Sequence, residues 1–268
     1  MVLNNWSYEM RDIASYPAYV KNPFLSPLAN AVTAANFDLI GKIKPGDRVL
    51  EVGCGISSYI RDNMPEYTFW EGIDVFERDS RGRTCIATRL GSVHSIPFKS
   101  DWFNFVVSNQ SIEHWFEYGV SIERGLKEIA RVLKVKGKLH INFPFHLHGH
   151  PLFVTGDIDS ILALFKQSIW QINNVIAYID SVEPDYHGWN HSKFPYSYVS
   201  TIREVNTSYV VNIISEKITS RFDEHVENPD KRPLILPRRK SLLGRSIKHG
   251  LRVTTWKIMR KIFRLLHS

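Results

Sequence analysis

Cysteine is scarce: Cys54 and Cys85 are the only two in 268 residues. One of them lies in a glycine turn, which argues against a structural disulfide and fits a reducing cytoplasm. No run of about 18 apolar residues occurs, so no transmembrane helix is expected. Residues 1–11 lack the apolar stretch of a secretory signal, and none is expected. Acidic residues are missing from 231–268, which hold twelve Lys and Arg. The net charge of +7 is therefore misleading, because the first 230 residues carry 22 basic and 27 acidic groups, a net of −5. A mildly acidic body with a basic tail disfavours nucleic acid as a substrate. No internal repeat is present. The 43% apolar content suffices for one domain with a sizeable core.

What is present begins at 47–59, Asp-Arg-Val-Leu-Glu-Val-Gly-Cys-Gly-Ile-Ser-Ser-Tyr. A short apolar run ends in Gly53 and Gly55, and Ile56–Ile60 can open a helix. That pattern predicts a buried parallel strand turning sharply beneath a ligand. Glycine is needed where backbone approaches a cofactor without a Cβ in the way. A nicotinamide site wants a third glycine, at position 58, which is Ser58. Glu51 is costly to bury unless a cationic or hydrogen-bonding group meets it. An amino group and a sulfonium charge on the cofactor account for it better than a pyrophosphate does.

Four further stretches follow in order: Trp70–Val75 ending in Asp74, Gly91–Phe98, Phe103–His114, and Glu128–Gly137 with the strand Lys138–Phe143. Together with the glycine turn they cover 45–143 and resemble class I S-adenosylmethionine-dependent methyltransferases of the type 11 kind. The resemblance implies an α/β fold: a doubly wound, mostly parallel seven-stranded sheet closed by an antiparallel C-terminal hairpin. It implies a cofactor set of Glu51, Gly53, Cys54, Gly55, Asp74, Ser92, Val93 and Asn109, with Asp74 on the ribose. The sequence departs from the family at Ser92, Asn104, Gln110, Val135 and Lys136. Ser92 stands where an Asp usually meets the adenine.

Strands are expected at 48–52, 68–74, near 86–91, 103–108, 138–143, 170–179 and 209–215, with helices at 27–41, 119–135 and 157–166, the last capped by Asp157. Residues 1–25 are aromatic and irregular, and either cover the cofactor as a lid or pack on the sheet edge. The domain is expected to span 1–230, with a substrate loop at 183–204 and a basic amphipathic tail at 231–268.

Methyl transfer from a sulfonium requires alignment and exclusion of water, and a hydroxyl acceptor also needs a base. Glu113-His114 follows one strand and His146-Leu-His148-Gly-His150 the next, at the end where open α/β sheets bind ligands. The candidate catalytic residues are His114, His148 and Glu113. A metal is not favoured; Glu113, His114 and His146 would hold one. The 183–204 loop carries Tyr186, His187, Trp189, His191, Phe194, Tyr196 and Tyr198, which suit a sugar's apolar faces and hydroxyl edges. The tail places Leu243, Ile247, Leu251, Ile258, Ile262 and Leu266 at near-helical spacing among basic residues, the pattern of a membrane-surface helix. The expectation is a cytoplasmic O-methyltransferase acting on a saccharide or glycolipid at the inner face of a membrane. The rivals are an enzyme for a soluble small molecule or quinone precursor, and a non-catalytic binding protein.

Overall fold

A computed structural model describes residues 7–20, 27–145, 149–155, 158–165, 169–179 and 209–219. Asp157, His146, His148, the 183–204 loop and the 231–268 tail lie outside the described residues. The chain separates into two units, 1–236 and 237–268, and the description below concerns the first. Among the described residues no helix is long and apolar enough to cross a membrane.

Eight strands form one sheet: β1 (Ser7–Asp12), β2 (Arg48–Val52), β3 (Phe69–Asp74), β4 (Arg89–Leu90), β5 (Phe103–Asn109), β6 (Leu133–Pro144), β7 (Trp170–Ile179) and β8 (Tyr209–Lys217). Their order is β1-β7-β8-β6-β5-β2-β3-β4. Only β8 is antiparallel to its neighbours β6 and β7. The chain runs outward from β2 to β4, then restarts on the other side of β2 with β5. Ligands bind at such a switch point, outside the carboxyl ends of the strands.

The eighth strand corrects the expectation of seven. Ser7–Asp12 is not irregular but pairs in parallel along β7. Asp38 on helix α1 (Pro27–Ile40) secures it, accepting hydrogen bonds from Arg11 (2.6 Å), Tyr16 (2.6 Å) and Tyr178 (2.7 Å). The expected strand near 86–91 shrinks to Arg89–Leu90, and the expected helix at 119–135 is the shorter α3 (Ile122–Val132). Gly119, left-handed at φ 75°, ends a preceding 3-10 turn (Ile112–Tyr118) and forces α3 to start afresh at the Ser121 cap.

The core lies on both faces of the central strands. Leu50, Val52, Val106, Leu139 and Ile141 pack with Leu126, Ile129 and Ala130 of α3 on one side. Val49, Phe105 and Val107 pack with Leu39 and Ile43 on the other. His140 is buried there without a hydrogen-bond partner for either ring nitrogen. Burial, then the charges of Lys42 and Lys138, push it down to about 3.

Three strands end on one side of the sheet. Because β7 runs parallel to β6, the carboxyl ends of β1, β6 and β7 lie on the same side as those of β2 and β5. Asp12, Pro144 and Ile179 end their strands there.

Lys136 occupies the left-handed region at φ 64°, where the family pattern has glycine. Lys136→Gly is expected to stabilise the protein by about 1 kcal/mol, since the left-handed cost to an L-residue is about 1–2 kcal/mol and glycine's extra unfolded freedom offsets part of it. Thermal denaturation should show a midpoint higher by roughly 2–4 °C.

Candidate active site

The turn after β2 is held to β3 by its backbone. Gly53 and Cys54 both donate to the Ile73 carbonyl, at 2.8 and 3.2 Å. Gly53 is left-handed at φ 72°, and a Cβ there would strike the Ser111 side chain. Gly55 is left-handed at φ 63°, and a Cβ there would meet nothing within 4 Å. The first glycine therefore lets the loops after β2 and β5 close on each other, and the second opens on space.

Glu51 lies beneath this turn, 3% exposed. It accepts from Ser58 Oγ, from Asn109 Nδ2 at 3.0 Å and from Trp70 Nε1 at 3.2 Å. Burial raises its pKa against the pull of these three donors. Ser58 also caps helix α2 (Tyr59–Asn63), accepting from Arg61 N–H at 3.0 Å. The residue at the missing third glycine thus fixes the acid in the strand. From Asn109 the bonding continues along the strand ends: Asn142 donates to Asn109, and Gln110 donates to Asn142 at 3.0 Å. Gln110 is left-handed at φ 49°, and its Oε1 is buried without a partner.

Asp74 ends β3, buried, accepting from Gly55 N–H at 2.9 Å and Val75 N–H at 2.7 Å. Burial raises its pKa; the opposing terms are backbone hydrogen bonds from Gly55, Val75 and Phe76. Gly91 N–H bonds the Asp74 carbonyl at 2.9 Å, which brings the 91–98 loop alongside. In that loop the Ser92 hydroxyl accepts from His94 N–H at 3.2 Å, leaving its own O–H to donate, and Val93 is buried in the core.

The loop after β5 carries the second group. Glu113 is fully buried, both carboxyl oxygens lack a hydrogen-bond partner, and burial raises it to about 7. His114 follows, its Nδ1 on Glu117 Oε1 at 3.1 Å and its Nε2 3.9 Å from Glu113. His150 N–H donates to the Glu113 carbonyl at 2.8 Å, so the loop after β6 meets the loop after β5.

The family model of the methyltransferase domain matches residues 50–141. Over that stretch the chain is similar to S-adenosylmethionine-dependent methyltransferases. The human protein named Probable tRNA methyltransferase 9B is 29% identical over 122 residues, 44% of this chain and 26% of that protein. Uncharacterized protein YafE of Escherichia coli K12 is 27% identical over 141 residues, 53% of this chain and 55% of that protein. The matches thus span from a quarter to about half of these relatives' length. A chain from the complex between the Haloferax volcanii Trm112 methyltransferase activator and a methyltransferase superposes with TM-score 0.51 at 14% identity, over 77% of this chain and 96% of that one.

The methyltransferase seat fits its family's cofactor on the chain's own geometry. Gly55 faces open space, and Asp74 and Glu51 place buried carboxylates on the two sides of the turn. The structure brings together Glu51, Gly53, Cys54, Gly55, Asp74 and Asn109 around the strand ends, with Ser92 and Val93 in the adjoining loop. Glu113 and His114 are neighbours on the turn after β5; His146 and His148 are outside the described residues.

Sequence reasoning missed three features of this site. Ser58 and Trp70 hold Glu51. Glu117 holds His114, and the spacing Glu113-His114-x-x-Glu117 on one turn was the available signal. Glu128 and Arg131, paired at 2.8 Å in full burial, grip the 91–98 loop: Glu128 accepts from Ile96 N–H at 2.9 Å, and Arg131 donates to the Ile96 (2.9 Å) and Phe98 (2.8 Å) carbonyls. The Glu-x-x-Arg of the fifth motif carried that information without showing what it gripped.

Proposed function

We propose that the protein is an S-adenosylmethionine-dependent O-methyltransferase acting on a saccharide hydroxyl, in cell-surface polysaccharide or glycolipid synthesis. The cofactor, when bound, supplies an electrophilic methyl group on a sulfonium. Glu51 and Asp74 orient it, one at each side of the glycine turn. The observation that carries the acceptor chemistry is the His114–Glu117 pair, 3.1 Å apart on the loop after β5. A carboxylate on Nδ1 keeps the proton there and makes Nε2 the basic nitrogen. His114 then takes the acceptor's proton as the methyl group transfers. The Glu113 carboxyl, raised to about 7 beneath it, adds negative charge near neutral pH and favours the imidazolium.

The saccharide is supported by the aromatic composition of 183–204, in the stretch of chain that follows β7, whose carboxyl end is on the same side of the sheet as the glycine turn. Tyr16 and Tyr19, packed edge-on against Phe37, follow β1 from that edge and support a lid over the donor. The match to a tRNA methyltransferase favours a second reading, methyl transfer to RNA, which the net −5 of residues 1–230 opposes. Incubation with labelled S-adenosylmethionine, cell-envelope glycan, total RNA and a small-molecule extract separates the readings. Label in glycan is expected; label in RNA or a soluble product alone overturns the substrate assignment.

His114→Ala is expected to lower kcat by about 10²–10⁴-fold, the range for loss of a general base, with KM little changed. Glu117→Gln is expected to lower kcat less and to move the pH profile, because it alters the base through its orientation. A KM effect without a kcat effect would show that His114 only binds the acceptor. The basic tail is proposed to dock on an anionic membrane surface, at about 1 kcal/mol per basic residue. Deleting 238–268 is expected to abolish cosedimentation with anionic vesicles, and unchanged sedimentation removes the membrane from the proposal.

A further inference from the structure

The seat contains a second set of ligand atoms. Cys54 Sγ, Asp74 carboxylate oxygen and Cys85 Sγ lie within 4.8 Å of one another. Both thiols are free; Cys54 is buried and Cys85 half-buried. A Cβ on Gly72 would press on Cys54 Sγ at 2.9 Å, so this glycine leaves the pocket the thiol occupies. Among the described residues no Lys or Arg side chain pairs with Asp74, and its hydrogen bonds come from backbone N–H groups. Three groups able to carry negative charge therefore converge without a cationic side chain.

We propose that Cys54, Asp74 and Cys85 form a binding site for a thiophilic divalent cation of the zinc class, and that its occupation closes the cofactor seat. Zinc takes thiolate at about 2.3 Å and carboxylate at about 2.0–2.2 Å in a tetrahedron, which sets the ligand atoms roughly 3.3–3.8 Å apart. A contraction of about 1 Å from the present cluster completes three corners, and water takes the fourth. Binding releases the two thiol protons, and the cation compensates the resulting charge.

The closure follows from what these groups hold. Asp74 accepts from Gly55 N–H at 2.9 Å, and Cys85 Sγ donates to the Gly55 carbonyl at 2.7 Å. Both polar groups of the open glycine are thus tied to metal ligands. Coordination withdraws the thiol proton and occupies the carboxylate that would meet the ribose. This half of the proposal rests on the reading of Asp74 as the ribose acid.

Cobalt(II) titration of the reduced full chain under nitrogen tests the site. The chain has only two cysteines, so a near-ultraviolet thiolate-to-cobalt band reports on them alone. The expected result is a band of two-sulfur intensity, displaced by zinc, with proton release. In Cys85→Ser the band halves and the affinity drops by at least about 100-fold, more than the 10–100-fold typical of losing an outer-shell partner. One equivalent of zinc should weaken S-adenosylmethionine binding at least tenfold in the wild type and leave Cys85→Ser unaffected. Absence of the band overturns the site. A band with unchanged cofactor affinity in zinc overturns the closure. Failure of the cofactor reading appears separately, as no S-adenosylmethionine binding by the metal-free protein while the cobalt band persists.

Discussion

Arg131→Met is expected to lower stability by about 3–5 kcal/mol, the range for breaking a buried ion pair by removing one partner. Arg131 and Glu128 are 2% and 3% exposed, so the orphaned carboxylate cannot reach water without moving α3. The Phe98 carbonyl loses its Arg131 donor at the same time, and the Ile96 carbonyl keeps only Phe98 N–H. The loop that carries Ser92 and Val93 should loosen, and S-adenosylmethionine binding should weaken together with folding. Adding Glu128→Leu should recover only part of the loss. It removes the buried charge but leaves Ile96 N–H and the Phe98 carbonyl unpaired, and each unpaired group costs about 1–3 kcal/mol. Urea unfolding and calorimetric cofactor binding measure the two effects. A single-variant loss below 1 kcal/mol would contradict the clamp.

The second large effect is the pH dependence of stability, to which two buried groups, Glu113 and His140, contribute with opposite signs. Glu113 moves from 4.5 up to about 7, so the folded state keeps a proton that the unfolded chain has lost. Its penalty is absent below pH 4.5, grows as pH rises to 7, and reaches about 3 kcal/mol at 1.36 kcal/mol per pH unit. His140 moves from 6.5 down to about 3, so here the unfolded chain binds the proton first. Its penalty is absent above pH 6.5, grows as pH falls to 3, and reaches about 5 kcal/mol. Between pH 4.5 and 6.5 these two contributions offset each other, and the raised Glu51 and Asp74 add to the fall toward neutral pH. Glu113→Gln is expected to be more stable than wild type by about 3 kcal/mol at pH 8 and equal to it at pH 4. His140→Leu should flatten the acid limb and also relieve two buried nitrogens that lack partners. Denaturant unfolding across pH 3–8 would show these changes, and parallel curves for wild type and Glu113→Gln would refute the assignment of the neutral limb.

The parts of the fold legible in sequence were those that local pattern specifies. β2 and β7 fall on the expected residues because short apolar runs bounded by turn residues leave little choice. The donor turn was legible because left-handed backbone selects glycine. The edge strand Ser7–Asp12 was not, since its pairing with β7 joins residues more than 160 positions apart. The Asp38 network that holds it mixes Arg11, Tyr16 and Tyr178, which share no local signature. The same holds for the Asn109–Asn142–Gln110 amides and for Cys85, which meets Gly55 across thirty residues. Side-chain relays between strands depend on register, and register is a property of the folded sheet.

The β7–β8 hairpin has a bearing on how this scaffold diversifies. Its open end is a matched pair of backbone positions, Ile179 opposite Tyr209, spliced into the sheet beside Pro144. Opposed residues in an antiparallel pair stand about 5 Å apart, whatever the length of chain between them. Doubling an insertion there adds only about 0.6 kcal/mol of closure entropy. The hairpin is thus a socket: segments of unrelated length and composition can be exchanged at positions 180–208 while β2, three strands from β8, keeps its register.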